Sequence, residues 1–346
     1  MKPLPTNDLE HILAHTMPLW EQARGQRIFL SGATGFFGAW LLESLLHANH
    51  ALNLNVSATV LSRDPEGFAR RMPHVAADSA ISLWKGGVCS FDVPDYDFPF
   101  VVHAAAPTSA DAAREPAELL RTLIDGTRHM IAFASRHNTR RFLHVSSGAV
   151  YGIQPEQVSH LREDYLGGPD WLEPSSAYAE GKRVAEQLCS ISARQTGMDV
   201  RIARCFAFVG PHLPLDSHFA IGNFIADALA GRAISVHGDG TPLRSYLYAS
   251  DLAIWLWTML LCPNPSETNI AVWNVGSAEA ISIADLAWMV AEEVHPGLGV
   301  SLARTPTPGA PREQYIPGVG KAETGLGLRQ TIHLREGIQR TADWYR

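Results

Sequence analysis

Gly32-Ala33-Thr34-Gly35-Phe36-Phe37-Gly38 constrains this chain more than any other stretch. A short apolar run, Arg27-Ile28-Phe29-Leu30, precedes it, and an apolar-periodic segment, Trp40-Leu41-Leu42-x-x-Leu45-Leu46, follows. The order is strand, tight glycine turn, helix. Such a turn sets backbone N–H groups and the positive end of a helix where a pyrophosphate can sit. Glycines are required because a Cβ would block the phosphate or forbid the backbone angles. The spacing is Gly32-x-x-Gly35-x-x-Gly38, not the Gly-x-Gly-x-x-Gly of dinucleotide dehydrogenases. Alone, this pattern also fits an ordinary turn before a helix.

Two further motifs change the reading. In Tyr178-Ala179-Glu180-Gly181-Lys182, the spacing stacks Tyr178 and Lys182 on one helix face. An ammonium beside a phenol favours the phenolate over its usual pKa of roughly 10. A tyrosine so tuned exchanges a proton with a sugar or alcohol hydroxyl near neutral pH. Phe142-Leu143-His144-Val145-Ser146-Ser147 reads as a buried parallel strand. Ligands of open parallel sheets bind at strand carboxyl ends, where Ser147 stands ready to hydrogen-bond a reacting oxygen. Each piece alone has a plain structural reading as a helix surface or a strand-end turn. The three in this order point to chemistry.

On these residues the chain resembles the extended short-chain dehydrogenase/reductases of the nucleotide-sugar epimerase/dehydratase family. The likeness runs from about Arg27 to the C-terminus. It includes Val102-His103-Ala104-Ala105-Ala106, Val150-Tyr151-Gly152, Ala203-Arg204-x-Phe206-x-x-x-Gly210-Pro211, His237-Gly238-Asp239-Gly240-x-x-x-Arg244 and Asn274-Val275-Gly276. The Glu180-Gly181-Lys182-Arg183 run is similar to that of UDP-glucuronate decarboxylases. UDP-glucose 4-epimerases share the general pattern.

The resemblance implies an α/β fold, a Rossmann doubly wound parallel sheet with a smaller C-terminal substrate lobe. It implies a dinucleotide-binding domain at 25–210 and a mainly sugar-nucleotide lobe at 211–346, some segments of which return to the first domain; a helical extension at 1–24, unusual for the family, is expected ahead of them. Alternating signals support the sheet: strands at 56–61, 100–105, 141–146 and 200–206, and long helices at 112–136 and 179–193. The segment 8–24 is expected to be helical, with no function assigned. Leu252 to Cys262 is apolar but too short for a span of ~20 residues, so it reads as a buried helix.

Composition sets outer limits. The chain has 346 residues, 46% hydrophobic and 18% charged, as in an ordinary globular protein. Its net charge of -7 argues against a nucleic-acid surface. Cys89, Cys189, Cys205 and Cys262 show no metal spacing, and no metal is expected. No signal peptide or membrane span is visible, so a cytoplasmic protein is expected.

By resemblance, Ser147, Tyr178 and Lys182 are the catalytic residues. Gly32, Thr34, Gly35, Phe36, Phe37, Gly38, Ser62, Arg63, Ala104, Ala105 and Ala106 are expected along the cofactor, with Tyr178 and Lys182 at its nicotinamide end. NAD and NADP both stay open. Ser62-Arg63 would suit a 2′-phosphate, whereas Asp64 would suit a ribose diol. His103 is expected to be structural. Thr108, Ser109, Asn223, Arg244 and Arg312 are the expected substrate contacts, and a homodimer through the long helices is the expected assembly.

Two departures narrow the reaction. Family dehydratases carry an acid pair after the serine, where this chain has Gly148 and Ala149. Decarboxylases place an arginine three residues before the tyrosine, where Ser175 stands. What remains is oxidation or reduction at a sugar carbon. The leading expectation is a nucleotide-sugar epimerase working through a transient 4-keto sugar. An NADPH-dependent ketosugar reductase is the alternative, ahead of a decarboxylase, a dehydratase or a non-catalytic sensor of cofactor state.

Overall fold

The computed structural model describes every residue except 93–94, 108–112, 218, 264–267 and 308. In chain order the strands are β1 (Arg27–Ser31), β2 (Ser57–Ser62), β3 (Ile81–Lys85), β4 (Phe100–His103), β5 (Arg141–Ser147), β6 (Asp199–Cys205), β7 (Phe208–Val209), β8 (Ile234–Val236), β9 (Leu243–Arg244), β10 (Leu247–Tyr248), β11 (Ile270–Val275), β12 (Ile281–Ser282), β13 (Val300–Leu302) and β14 (Gln314–Tyr315). The helices are α1 (Thr6–Thr16), α2 (Phe36–Leu52), α3 (Pro65–Arg71), α4 (Pro73–Ala76), α5 (Pro116–Arg136), α6 (Ala177–Thr196), α7 (Ala220–Leu229), α8 (Ala249–Leu261), α9 (Ile283–Val294), α10 (Gly320–Leu326) and α11 (Leu334–Tyr345).

Two compact units share the chain. The first is Met1–Val150, Pro169–Arg204 and Ala253–Trp273. The second is Tyr151–Gly168, Cys205–Leu252 and Asn274–Arg346. The first holds the sheet β11-β6-β5-β4-β1-β2-β3. Pairing is parallel from β3 through β2, β1 and β4 to β5. This is the doubly wound Rossmann order, and it reverses between β1 and β4. There Ser31 pairs with His103, so the residues after both strands emerge side by side at the carboxyl edge. Both strands are almost wholly buried, as a parallel sheet covered on two faces requires. Phe29 anchors the core, its ring 4.4 Å from that of Phe133 and 5.4 Å from those of Phe91 and Phe98.

The N-terminal segment belongs to this packing. The expected single helix over 8–24 is instead α1 followed by a 3-10 turn, Met17–Ala23, with Pro18 in its first turn. A proline there forfeits the α-helical N–H bond and resets the path. Trp20 is wholly buried and lies 4.8 Å, centroid to centroid, from Trp257 of α8. The Leu4 N–H donates to the Glu43 carboxylate of α2 at 2.7 Å. The helix expected from residue 112 begins at Pro116, which takes the N-terminal position that proline tolerates best.

In the second unit, β9 lies between β12 and β14, β7 pairs with β10, and β8 with β13. Ser282 caps α9 by accepting the Asp285 N–H at 3.0 Å. Asn274 is its polar hub. Its Oδ1 accepts from Tyr151 at 2.7 Å, and its Nδ2 donates to the Leu161 and Gly318 carbonyls at 2.7 and 3.0 Å. No helix among the described residues is long and apolar enough to cross a membrane.

Candidate active site

The glycine turn joins β1 to α2, and its three glycines have three different reasons. Gly32 has φ +77°, and a Cβ there would lie 2.4 Å from the backbone of Ala104 and Ala105. The turn after β1 and the chain after β4 are thus pressed together at the switch point. A Cβ on Gly38 would lie 2.2 Å from the Ala33 carbonyl carbon, so helix and turn also touch. Gly35 differs: its Cβ would meet nothing closer than the Gly32 carbonyl at 3.9 Å. Gly35 is the N-cap of α2, and no side chain caps that end. A helix start with a glycine at its N-cap and no side chain in the way suits a pyrophosphate. Thr34, Phe36 and Phe37 line the same turn partly buried, the two phenyl rings 5.7 Å apart. Ala104, Ala105 and Ala106 follow β4 half-buried beside it.

His103, at the end of β4, is held from both sides. Its Nδ1 bonds Ser31 Oγ at 2.8 Å and its Nε2 bonds Thr127 Oγ1 at 3.1 Å. Thr127 gives its own proton to the Leu123 carbonyl, so Nε2 donates and Nδ1 accepts from Ser31. Burial, and secondarily the Lys182 charge, push the imidazole down to about 3. His103 is a neutral strut beneath the glycine turn.

Lys182 and Tyr178 lie on one face of α6, as the spacing requires. The Lys182 Nζ sits 5.9 Å from the centre of the Tyr178 ring. Lys182 is 2% exposed and donates to the Val145 carbonyl of β5 at 2.7 Å. Ser147 ends the same strand and is largely buried. Its Oγ accepts the Ala149 N–H at 3.2 Å, which leaves its hydroxyl proton to donate elsewhere. Lys182 therefore links the tyrosine helix to the strand that carries the serine. After Ser147 the chain enters a 3-10 turn, Gly148–Tyr151, and no acidic side chain occupies its first two places. Ser175 is exposed in the short turn Pro174–Ser176 that leads into α6.

At the end of β2, Ser62 is buried and accepts the Asp64 N–H at 3.1 Å, while Arg63 is exposed. Asp64 accepts the Gly67 N–H at 2.9 Å and caps α3. One of its oxygens is thus engaged locally, where the sequence left it open to a ribose.

The expected substrate residues come from different segments of the chain. Thr108 and Ser109 lie outside the described residues. Asn223 is exposed on α7. Arg244 on β9 is half-buried, donates to the Leu243 carbonyl at 2.9 Å and pairs with Glu313 at 3.2 Å. Arg312 is exposed, next to that Glu313. Sequence reasoning missed one cluster near the serine. Glu186, one turn beyond Lys182 on α6, accepts from Ser146 Oγ at 2.6 Å and pairs with Arg204 at 2.7 Å. Its spacing from Lys182 puts both on one helix face, but nothing local in the sequence pairs it with Ser146 or Arg204.

A glycine turn at the switch point, with a tyrosine–lysine pair and a strand-end serine in the same unit, is an arrangement that suits a Rossmann oxidoreductase. The chain matches the NAD dependent epimerase/dehydratase family over residues 28–276. It is 30% identical over 316 residues to UDP-glucuronic acid decarboxylase 3 of Arabidopsis thaliana, covering 90% of this chain and 86% of that protein. MoeE5, solved in complex with UDP-glucuronic acid and NAD, is 25% identical at a TM-score of 0.74, over 92% of this chain and 99% of that one. UDP-glucuronic acid 4-epimerase from Bacillus cereus, solved with UDP-glucuronic acid and NAD, shares the fold at 22% identity and a TM-score of 0.76, over 92% and 98%. This chain belongs to the NAD-dependent epimerase/dehydratase family. It is an NAD(P)-dependent enzyme of the extended short-chain dehydrogenase/reductase type, a group that modifies nucleotide sugars by oxidoreduction and epimerisation.

Proposed function

We propose that the protein is a nucleotide-sugar epimerase that inverts a sugar carbon through a transient 4-keto sugar. The observation that carries this reading is the pairing of an intact proton-exchange set with missing lyase groups. Lys182 is fixed between Tyr178 and the Val145 carbonyl, and Ser147 follows on the same strand. Gly148 and Ala149 stand where a dehydratase needs acids, and Ser175 where a decarboxylase needs an arginine.

The Gly32–Gly38 turn and the uncapped start of α2 would hold the cofactor pyrophosphate, with Ala104 to Ala106 alongside. A bound nicotinamide supplies reversible hydride acceptance. Tyr178 takes the proton from the sugar 4-hydroxyl and later returns it. Ser147 donates a hydrogen bond to the same oxygen as its charge changes. Lys182 holds positive charge beside the phenol and keeps α6 in register with β5. Inversion would require the ketosugar to present its other face before the hydride returns to C4.

NAD is the proposed cofactor, because MoeE5 and the B. cereus epimerase were solved with it. A UDP-sugar is the first substrate to try, since these relatives' names carry UDP. Arg244, Asn223 and Arg312, with Thr108 and Ser109, are proposed substrate contacts. Arg244 would exchange its Glu313 partner for phosphate oxygens. A cytoplasmic homodimer is part of the same proposal.

The test is mass spectrometry of ligands carried through purification, followed by a panel of UDP-, dTDP-, CDP- and GDP-sugars. Retained NAD⁺ and interconversion of C4 epimers are expected. Net consumption of NADPH would make it a reductase, and release of carbon dioxide a decarboxylase.

A further inference from the structure

Beside Ser147 lies a polar cluster that the proposed chemistry does not use. Glu186 sits one turn past Lys182 on α6. Its Oε1 accepts the Ser146 hydroxyl at 2.6 Å and the Arg204 Nε–H at 3.0 Å, and its Oε2 accepts Arg204 Nη2 at 2.7 Å. The carboxylate and guanidinium are largely buried, their side chains 11% and 16% exposed. Ser146 is buried as well. Each partner comes from a different element: Ser146 from β5, Glu186 from α6, Arg204 from β6.

The consequence is geometric. Val145, Ser146 and Ser147 are consecutive. The Val145 carbonyl is held by Lys182 and the Ser146 hydroxyl by Glu186, so α6 grips the end of β5 at two successive residues. Ser147 is the next residue. The sheet holds the backbone of β5 between β4 and β6, and the two side-chain ties from α6 set the strand end against that helix. Arg204 fixes the orientation of Glu186 through a two-toothed pairing. Charge-assisted bonds of this kind in a low-dielectric setting are stiff.

We propose that Glu186 is a positioning residue, which sets Ser147 in register with the Tyr178–Lys182 pair through Ser146. The proposal rests on the assignment of Ser147 to the reacting oxygen. It holds for epimerisation, reduction or decarboxylation alike, because each moves a proton to or from the reacting sugar oxygen.

The test compares Ser146→Ala, Glu186→Gln and Ser147→Ala with the full-length wild type, on whichever nucleotide sugar the panel shows to turn over. Glu186→Ala is avoided as sole evidence, because it strands a buried guanidinium and endangers folding. Ser146→Ala removes one hydroxyl and leaves the Glu186–Arg204 pair intact. The expected result is a kcat loss of about 10- to 100-fold in Ser146→Ala, of the size misplacement costs, with KM within about twofold. Glu186→Gln keeps an acceptor for Ser146 and is expected to lose less. A double variant, Ser146→Ala with Glu186→Gln, is expected to be no slower than Ser146→Ala alone. A purely structural role would lower the melting temperature and leave the kcat of folded enzyme unchanged. Ser147→Ala impaired with Ser146→Ala at the wild-type rate overturns this proposal alone. Ser147→Ala at the wild-type rate overturns the assignment of Ser147, and this proposal with it.

Discussion

Lys182 carries two duties on one side chain. It places a positive charge 5.9 Å from the Tyr178 ring centre, and it bonds the strand that ends in Ser147. Tyr178→Phe removes only the proposed proton carrier. Turnover is expected to fall by about 10²- to 10⁴-fold, with dinucleotide affinity unchanged by fluorescence titration. Lys182→Met is expected to lose turnover and stability together. The glycine turn permits a sharper contrast. Gly32→Ala forces a Cβ to within 2.4 Å of the Ala104–Ala105 backbone at a positive φ, so loss of folded protein is expected. Gly35→Ala meets no atom of the described residues closer than 3.9 Å. It is expected to melt like wild type and yet bind NAD weakly, because the added methyl stands where phosphate approaches. Normal NAD affinity in Gly35→Ala would contradict a pyrophosphate seat at this turn. At this scale the sequence showed whatever is local. Tyr178 and Lys182 are four apart on one helix, and the three glycines share one turn. The Ser146–Glu186–Arg204 cluster joins residues 40 and 18 positions apart, which no periodicity reveals.

Among elements, the β1–α2 and β5–α6 pairs were legible because each joins a mostly apolar strand run to a long helix. The two-residue strands β7, β9, β10, β12 and β14 were not, since two residues carry no period. Pro18 could be read as a breaker but not as the start of a 3-10 turn that buries Trp20. That burial makes the N-terminal segment a measurable part of the first unit. Trp20→Ala, which opens a void against Trp257, is expected to cost about 3–5 kcal/mol in denaturant unfolding. An unchanged midpoint would show that the segment contributes nothing. At the end of β2, Asp64 is engaged as the α3 cap and Arg63 is exposed. Arg63→Ala is therefore expected to weaken NADP more than NAD, read as the ratio of the two dissociation constants. An unchanged ratio would remove Arg63 from any 2′-phosphate contact.

For the molecule as a whole, two buried histidines contribute to the response to acid. His103 is pushed down to about 3 by burial and by Lys182. His144 is pushed well below its ordinary value by burial first, then by Lys182 and His103. Both are neutral when folded and take up protons on unfolding below about pH 6.5, the ordinary histidine value. Their effect is absent above that pH, and stability falls as pH drops from there toward 3. Each group steepens the loss by up to about 1.4 kcal/mol per pH unit. Neither His144 ring nitrogen has a hydrogen-bond partner among the described residues. His144→Leu is therefore expected to flatten the fall of melting temperature between pH 6.5 and 4. A slope equal to wild type would contradict the neutral, buried imidazole. The proposed reaction is tested most directly by carbon-bound deuterium. A nucleotide hexose labelled at C4, incubated with the enzyme and NAD⁺ and followed by proton NMR, is expected to yield its C4 epimer with the label retained, and none with Tyr178→Phe. Undiminished epimer from Tyr178→Phe, or no epimer of any nucleotide hexose from the wild type, would contradict it.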